Sequence, residues 1–190
     1  MIWERLVFLL EEPSAETFLK TFLPHVLPEE LSYIIIPHRG KSDLRKSIPH
    51  KIRAWQGPAR FIVLHDQDSN DCVELKRNLQ QLCEENGRND IVIRIACREL
   101  EAWYFGDIQA LCQAFPNAPR TTFERRAPFR DPDQIDNPAK QLEQKVDGFQ
   151  KGKAARLIPQ YMDLNQNRSK SFNSFFKAIK DVAEQIDGGG

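Results

Sequence analysis

Several strong class markers are missing from this sequence, and each absence narrows the field. Its 27 Lys plus Arg balance 27 Asp plus Glu, so no net field draws the whole molecule onto a polyanion or an acidic membrane; any nucleic-acid contact must use a local basic face. No apolar run reaches the ~20 residues that span a bilayer. The opening Met1, Ile2, Trp3, Glu4 lacks the basic start of a secretory leader, which makes the cytoplasm the expected compartment. Cys72, Cys83, Cys97 and Cys112 never form a CxxC pair and sit in apolar or helical surroundings. Reduced thiols are therefore expected rather than disulfides or zinc ligands. His25, His38, His50 and His65 show no metal-ligand spacing. There is no internal repeat and no extended low-complexity tract.

What is present is an alternation of short apolar runs with helical patterns. Ile2 to Leu10 reads as a buried strand, followed by Pro13 and Ser14, a start for a helix through Leu23 with Ser14 as its cap. Tyr33 to Ile36 is a second buried strand, ended by Pro37 and the donor-rich loop His38-Arg39-Gly40-Lys41. Phe61 to Leu64 is a third; Asp71 and Glu74 then offer a capping box for a helix that stops near Gly87. Ile91 to Ala96 is a fourth, after which Glu99 to Tyr104 resumes a helical pattern. Strands alternating with helices predict an α/β fold with a mostly parallel sheet flanked by helices.

Residues 1–115 are expected to form this core, and 116–187 a polar loop followed by a C-terminal helical extension packed on it; 188–190 read as a flexible tail. From Pro116 to Pro138 the chain is polar and proline-rich, with Arg120, Arg125, Arg126 and Arg130 among Phe123 and Phe129. It reads as an exposed loop with packed aromatics, the alternative being a base-stacking strip for single strands. Ala139 to Phe149, Ala154 to Tyr161 and Phe172 to Ile186 carry helical patterns.

In an open parallel sheet the carboxyl ends of neighbouring strands share one edge, where ligands of such folds bind. Glu11 follows the first strand; Asp66 and Asp68 follow the third. Carboxylates held together repel unless a cation offsets them. Magnesium suits such a set because it prefers oxygen ligands and keeps several waters; manganese is the other candidate. Alternate residues of an extended chain point the same way, which would turn both Asp66 and Asp68 toward one metal.

The Glu11 and Asp66-x-Asp68 pair resembles the TOPRIM pattern of topoisomerases, primases and OLD-type nucleases. The segments LLEEPSAETFL, PHRGKSDL, HDQDSNDC and RELEAWYFGD resemble the bacterial domain-of-unknown-function 4276 family, itself TOPRIM-like. The resemblance implies a TOPRIM-like sheet, metal ligation by Glu11, Asp66 and Asp68, and a further carboxylate from Glu99 or Glu101. It also implies phosphodiester hydrolysis on DNA or RNA, with an ATPase partner protein in a bacterial defence or DNA-maintenance system. Two departures stand out: Glu12 replaces the usual Gly, and Glu16 lies one place later than the acidic residue of OLD-like motifs. Tyr33, Tyr104 and Tyr161 lack the surroundings of a DNA-linking nucleophile, which argues against strand passage.

Around this acidic set, Glu101 is favoured over Glu99 as ligand, although the pair would also suit a helix start. Lys41 is placed beside a phosphate, and Arg39, Arg94 and Arg98 are candidates for backbone phosphates. Lys151, Lys153, Arg156, Arg168 and Lys170 are a candidate wall of a polyanion groove. His65 reads as an ordinary strand-end histidine, or as one that tunes the acids beside it. Other functions for the same acids are a non-catalytic interaction module or a receiver-like phosphoacceptor domain modified at Asp66.

Overall fold

The computed structural model describes residues 5–187. The expected first strand begins at Ile2, so its first positions, like the tail at 188–190, lie outside the described residues. Four strands are present among the described residues: β1 (Arg5–Leu10), β2 (Tyr33–Pro37), β3 (Ala59–Asp66) and β4 (Val92–Ala96). They form one sheet in the order β2-β1-β3-β4, with every neighbouring pair parallel.

Because β1 is apolar at successive positions, it feeds two cores. Leu6, Phe8 and Leu10 face one side, and Val7 and Leu9 face the other. The second face is covered by the helices that follow β2 and β3, through Leu44, Ile48, Leu75 and Leu79. The first is covered by the helix after β1 and the C-terminal helices, so one continuous apolar cluster joins Phe18 and Phe22 to Trp103, Phe172 and Phe175. β2 is only partly buried, unlike the buried strand expected at Tyr33 to Ile36, because it is an edge strand with one hydrogen-bonded neighbour.

Helix α1 (Pro13–Phe22) starts one residue before the expected cap. Glu12 holds the N-cap position, and Ser14 Oγ donates instead to Glu12 Oε2 at 3.0 Å. Helix α2 (Lys41–Ala54) was not expected from the sequence; it buries Leu44, Ile48 and Ile52, spaced one turn apart in a polar stretch containing Pro49. Helix α3 (Cys72–Glu84) has the expected cap, Asp71 Oδ1 accepting from the Glu74 amide at 2.8 Å. The chain leaves it through Gly87 at φ +86°.

Past β4 come α4 (Ala102–Gly106), α5 (Ile108–Ala114) and α6 (Arg120–Arg125), then α7 (Pro138–Lys145), α8 (Lys151–Leu157) and α9 (Lys170–Asp187). The stretch expected as a surface loop is structured by α6 and two short 3-10 turns, and Phe123 and Phe129 are buried against Phe105. Their rings are core, which removes the base-stacking reading. No helix among the described residues is long and apolar enough to cross a membrane.

Candidate metal and phosphate site

Strand order fixes where the site lies. From β1 the chain crosses to β2 on one side and later returns to β3 on the other, so the direction of winding reverses between β1 and β3. The crevice at the carboxyl ends of those two strands is the expected binding position in such sheets. Glu11 directly follows β1, and Asp66 ends β3.

The two acids meet there. Glu11 Oε2 accepts the Asp66 amide at 3.0 Å and lies 2.9 Å from His65 Nδ1. That nitrogen is also 2.6 Å from the Asp66 carbonyl. Both neighbours are acceptors, which assigns the ring proton to Nδ1. The imidazole is fully buried, and its Nε2 meets no partner among the described residues. Burial alone would raise the Glu11 carboxyl. Hydrogen bonding and electrostatic interaction with His65, the Asp66 amide and Lys41 together hold it below its usual range.

Asp66 is in the opposite state. Burial pushes its carboxyl well above the usual range, and the neighbouring Glu101, Glu11 and Glu12 push further; Lys151 opposes them. Its Oδ1 accepts the Leu100 amide at 3.1 Å. A carboxylate so enclosed is poorly presented to a phosphodonor, which weighs against a receiver-like role.

Asp66 and Asp68 do not share an extended segment. The strand stops at Asp66, and Asp68 has turned into the left-handed region at φ 53°, with its amide bound to the Arg98 carbonyl at 2.7 Å. The two carboxylates are therefore not turned to one side by strand alternation, contrary to the expectation from the sequence. Asp68 stands at the outer rim, where its Oδ2 is 3.3 Å from Lys41 Nζ. Lys41 reaches the rim because the Gly40 amide bonds the Glu11 carbonyl at 2.9 Å, drawing the start of α2 across the end of β1.

Glu101 and Glu99 diverge. Glu99 Oε2 accepts the Ala139 amide at 3.0 Å, facing α7. Glu101, only 2 % exposed, turns inward, with Oε1 at 3.5 Å from Lys151 Nζ. Burial raises its carboxyl to about 7 even though Lys151 lowers it. Lys151 also lies 3.5 Å from Glu12 Oε2. Burial lowers its ammonium, but Glu101, Glu12, Glu99 and Asp66 together raise it above its usual value. The Tyr104 hydroxyl is buried beside Glu101 and Asp66 without a hydrogen-bond partner among the described residues.

Lys151 as a counter-ion of the acids was missed from sequence, where it counted only as part of a basic groove. Its basic companions do not join it. Arg168 donates to the Phe105 and Arg130 carbonyls, and Lys153 lies over the Phe115 ring. Arg94 is likewise not at the site; its guanidinium binds the Ser174 and Ile93 carbonyls beneath α9. Arg39 is exposed at the loop before α2. Arg98, at φ 62°, lies 3.4 Å from Asp136 and lines a cavity of about 380 Å³ with Asp68, Ser69, Glu99, Asn137 and Pro138.

The donor set is chemically suited to a hard cation: carboxylates gathered at one sheet edge, of which Asp66 and Glu101 resist ionisation chiefly because they are buried, with acidic neighbours adding to the effect. It is not pre-formed. Among the described residues no group of three or more His, Cys, Asp or Glu is already arranged to hold a metal ion. Lys151, Lys41 and His65 instead partner the acids individually.

Comparison with known proteins agrees with this architecture. No match to a curated protein sequence reaches significance. Among solved structures, the C-terminal region of the OLD protein of Xanthomonas campestris pv. campestris aligns with a TM-score of 0.50 at 14 % identity, covering 99 % of this chain and 100 % of that one. The likeness shows a shared fold. Residues 10–180 match the family described as Domain of unknown function (DUF4276), and the chain belongs to that family.

Proposed function

We propose that this protein is a divalent-cation-dependent phosphodiester hydrolase acting on DNA or RNA at the crevice between β1 and β3. The observation that carries the reading is the burial of Asp66 beside other acids, with Glu11 held against its amide. Its carboxyl is buried against Glu101, Glu11 and Glu12 with one nearby lysine to offset them. A cluster of acids this costly, placed at the point where the winding of the sheet reverses, is the pattern expected of a functional site rather than of a structural one.

Glu11, Asp66, Asp68 and Glu101 would hold Mg2+ or Mn2+. When bound, the cation would supply Lewis-acid polarisation of a phosphate and a more acidic water. The chain's own residues do the positioning. His65 and the Asp66 amide fix the Glu11 carboxylate in one orientation. Asp68 and Lys41 stand at the rim, where Lys41 can meet a phosphate oxygen as a point charge. Lys151 approaches from the C-terminal part of the chain and offsets negative charge within the site. The rim cavity beside Asp68, with Arg98 in its wall, is where a neighbouring phosphate or sugar would lie. With this reading goes a separate ATPase partner protein, which the likeness to OLD-type nucleases suggests.

A second reading is a non-catalytic nucleic-acid or protein interaction module on the same fold. It is favoured by the internal pairing of the acids with Lys151, Lys41 and His65 and by the absence of a pre-arranged ligand set among the described residues. The two are separated by incubating single- and double-stranded DNA and RNA with wild type and Asp66→Ala in Mg2+ or Mn2+. The hydrolase reading expects metal-dependent cleavage that drops at least about a hundredfold in the variant. Equal cleavage by both proteins would reject it.

A further inference from the structure

Of the four cysteines, two stand out. Cys72 and Cys97 line the same open cleft of about 440 Å³, between the start of α3 and the end of β4. Both are part-exposed, and the Cys72 side chain is near enough to Cys97 to help raise its thiol. Cys83 is buried under α3, and Cys112 lies away on α5.

Their surroundings link them to the rim of the acidic site. The segment between Asp66 and α3 is held against the residues around Cys97. The Gln67 amide binds the Ala96 carbonyl at 2.9 Å, and the Asp68 amide binds the Arg98 carbonyl at 2.7 Å. The Arg98 amide in return binds Gln67 Oε1 at 3.0 Å. The same segment ends at Asp71, the cap of α3, with Cys72 next in the chain. One thiol therefore lies at the exit of the Asp68 loop and the other just past the end of β4, between the two residues whose carbonyls hold that loop.

We propose that Cys72 and Cys97 form a reversible thiol–disulfide site that staples the loop carrying Asp68. The oxidant is a small-molecule disulfide. The Cys72 thiolate attacks one sulfur of the oxidant, whose S–S bond breaks and releases a first thiolate. The Cys97 thiolate then attacks the Cys72 sulfur of the mixed disulfide and expels the second. The protons of both protein thiols end on the two released thiolates. The protein loses two electrons, and the oxidant becomes two thiols.

Burial raises the Cys97 thiol to about 11, which suits it to the second, intramolecular step, where proximity compensates for a scarce thiolate. The bridge would tie the first turn of α3 to residue 97 and so restrict movement of the Asp68 loop. A bond that forms and reverses in this way fits a reducing compartment, where such bridges are transient.

The test uses the full chain, reduced, then exposed to oxidised glutathione at mildly alkaline pH, with no metal and no activity readout. The expected result is an intact mass lower by two hydrogens, a digest that joins the Cys72 and Cys97 peptides, and reversal by dithiothreitol. Amide exchange across Gln67 to Asn70 should slow by about threefold or more in the oxidised form. Cys72→Ser and Cys97→Ser should each retain a glutathione on the remaining thiol, whereas Cys83→Ser and Cys112→Ser should behave as wild type. Stable glutathione adducts on the wild type, or a bridge to Cys83 or Cys112, would overturn the assignment. An unchanged exchange rate in a correctly bridged protein would overturn the stapling of the loop.

Discussion

Glu11 and Asp66 are joined across the carboxyl ends of β1 and β3, Glu11 Oε2 accepting the Asp66 amide at 3.0 Å. The contact orients one acid by the backbone of the other. It also leaves the two in opposite electrostatic states, Glu11 held low by its donors and Asp66 driven up by burial and by its acidic neighbours. That contrast favours a cation at Asp66, because an acid pushed up by burial and by acidic neighbours gains from any positive charge that enters.

Metal-free protein should lose stability as pH rises across the range in which Glu101 ionises. Its folded carboxyl is raised from 4.5 to about 7. The folded state thus holds a proton that the unfolded state has released, and stability falls between those two values. Glu101 is only 2 % exposed, so the loss should be on the order of 3 kcal/mol. The opposite shift of Glu11 acts lower: its contribution is present above the ordinary carboxylate value and is lost as pH falls through its depressed one. Urea melts in chelator at pH 5 and pH 8 check this; equal stability at both would contradict it.

Lys151→Met should destabilise the protein at pH 8 by roughly 1–2 kcal/mol and much less at pH 5. The ammonium partners Glu101 and Glu12, and at pH 5 Glu101 is already protonated. Paired denaturation curves measure the difference. An equal loss at both pH values would mean that the lysine acts by packing alone.

How much of this was legible in the sequence depends on chain separation. The β1 and β3 runs and the positions of Glu11 and Asp66 at strand ends follow from local pattern, because a parallel strand in the middle of a sheet covered on both faces must be apolar almost throughout; β4, at an edge, is still marked by Ile93 and Ile95. Asp68 was misplaced because the left-handed turn after Asp66 is held by the carbonyl of Arg98, thirty residues further on. Lys151 was missed as a counter-ion because it reaches Glu12 across a separation of 139 residues. Helix α2 escaped notice because only Leu44, Ile48 and Ile52 mark its inner face and Pro49 interrupts the pattern. The 116–138 stretch looked like a loop for want of a periodic signal, yet Phe123 and Phe129 anchor it against Phe105.

Asp133, also unremarked in the sequence, binds the start of α9. Its carboxylate accepts Ser169 Oγ at 2.6 Å, Ser171 Oγ at 3.0 Å and the Ser171 amide at 2.9 Å. Asp133→Ala leaves those buried donors unmet and should cost about 2–4 kcal/mol. Thermal melts would show it; a change within error would remove the structural importance assigned to this cluster.

Gly106→Ala tests the close approach of α4 to the turn before α9. An added methyl would overlap the Asn167 carboxamide and lie 3.0 Å from the Ser169 amide nitrogen. Asn167 is fixed there by its bond to the Trp103 carbonyl at 3.0 Å and by accepting the Ser169 amide at 2.9 Å. A loss of about 2 kcal/mol or more is expected, and a wild-type melting temperature would contradict it.

The most direct measurement of the central claim is Mn2+ binding by calorimetry at pH 8, comparing wild type with Asp66→Asn. The expected result is a wild-type site whose affinity falls at least about tenfold in the variant, while metal-free Asp66→Asn is at least as stable as wild type because a buried carboxyl beside other acids has been replaced by a neutral group. Equal affinity in the two proteins, or no Mn2+ binding by either, would contradict it.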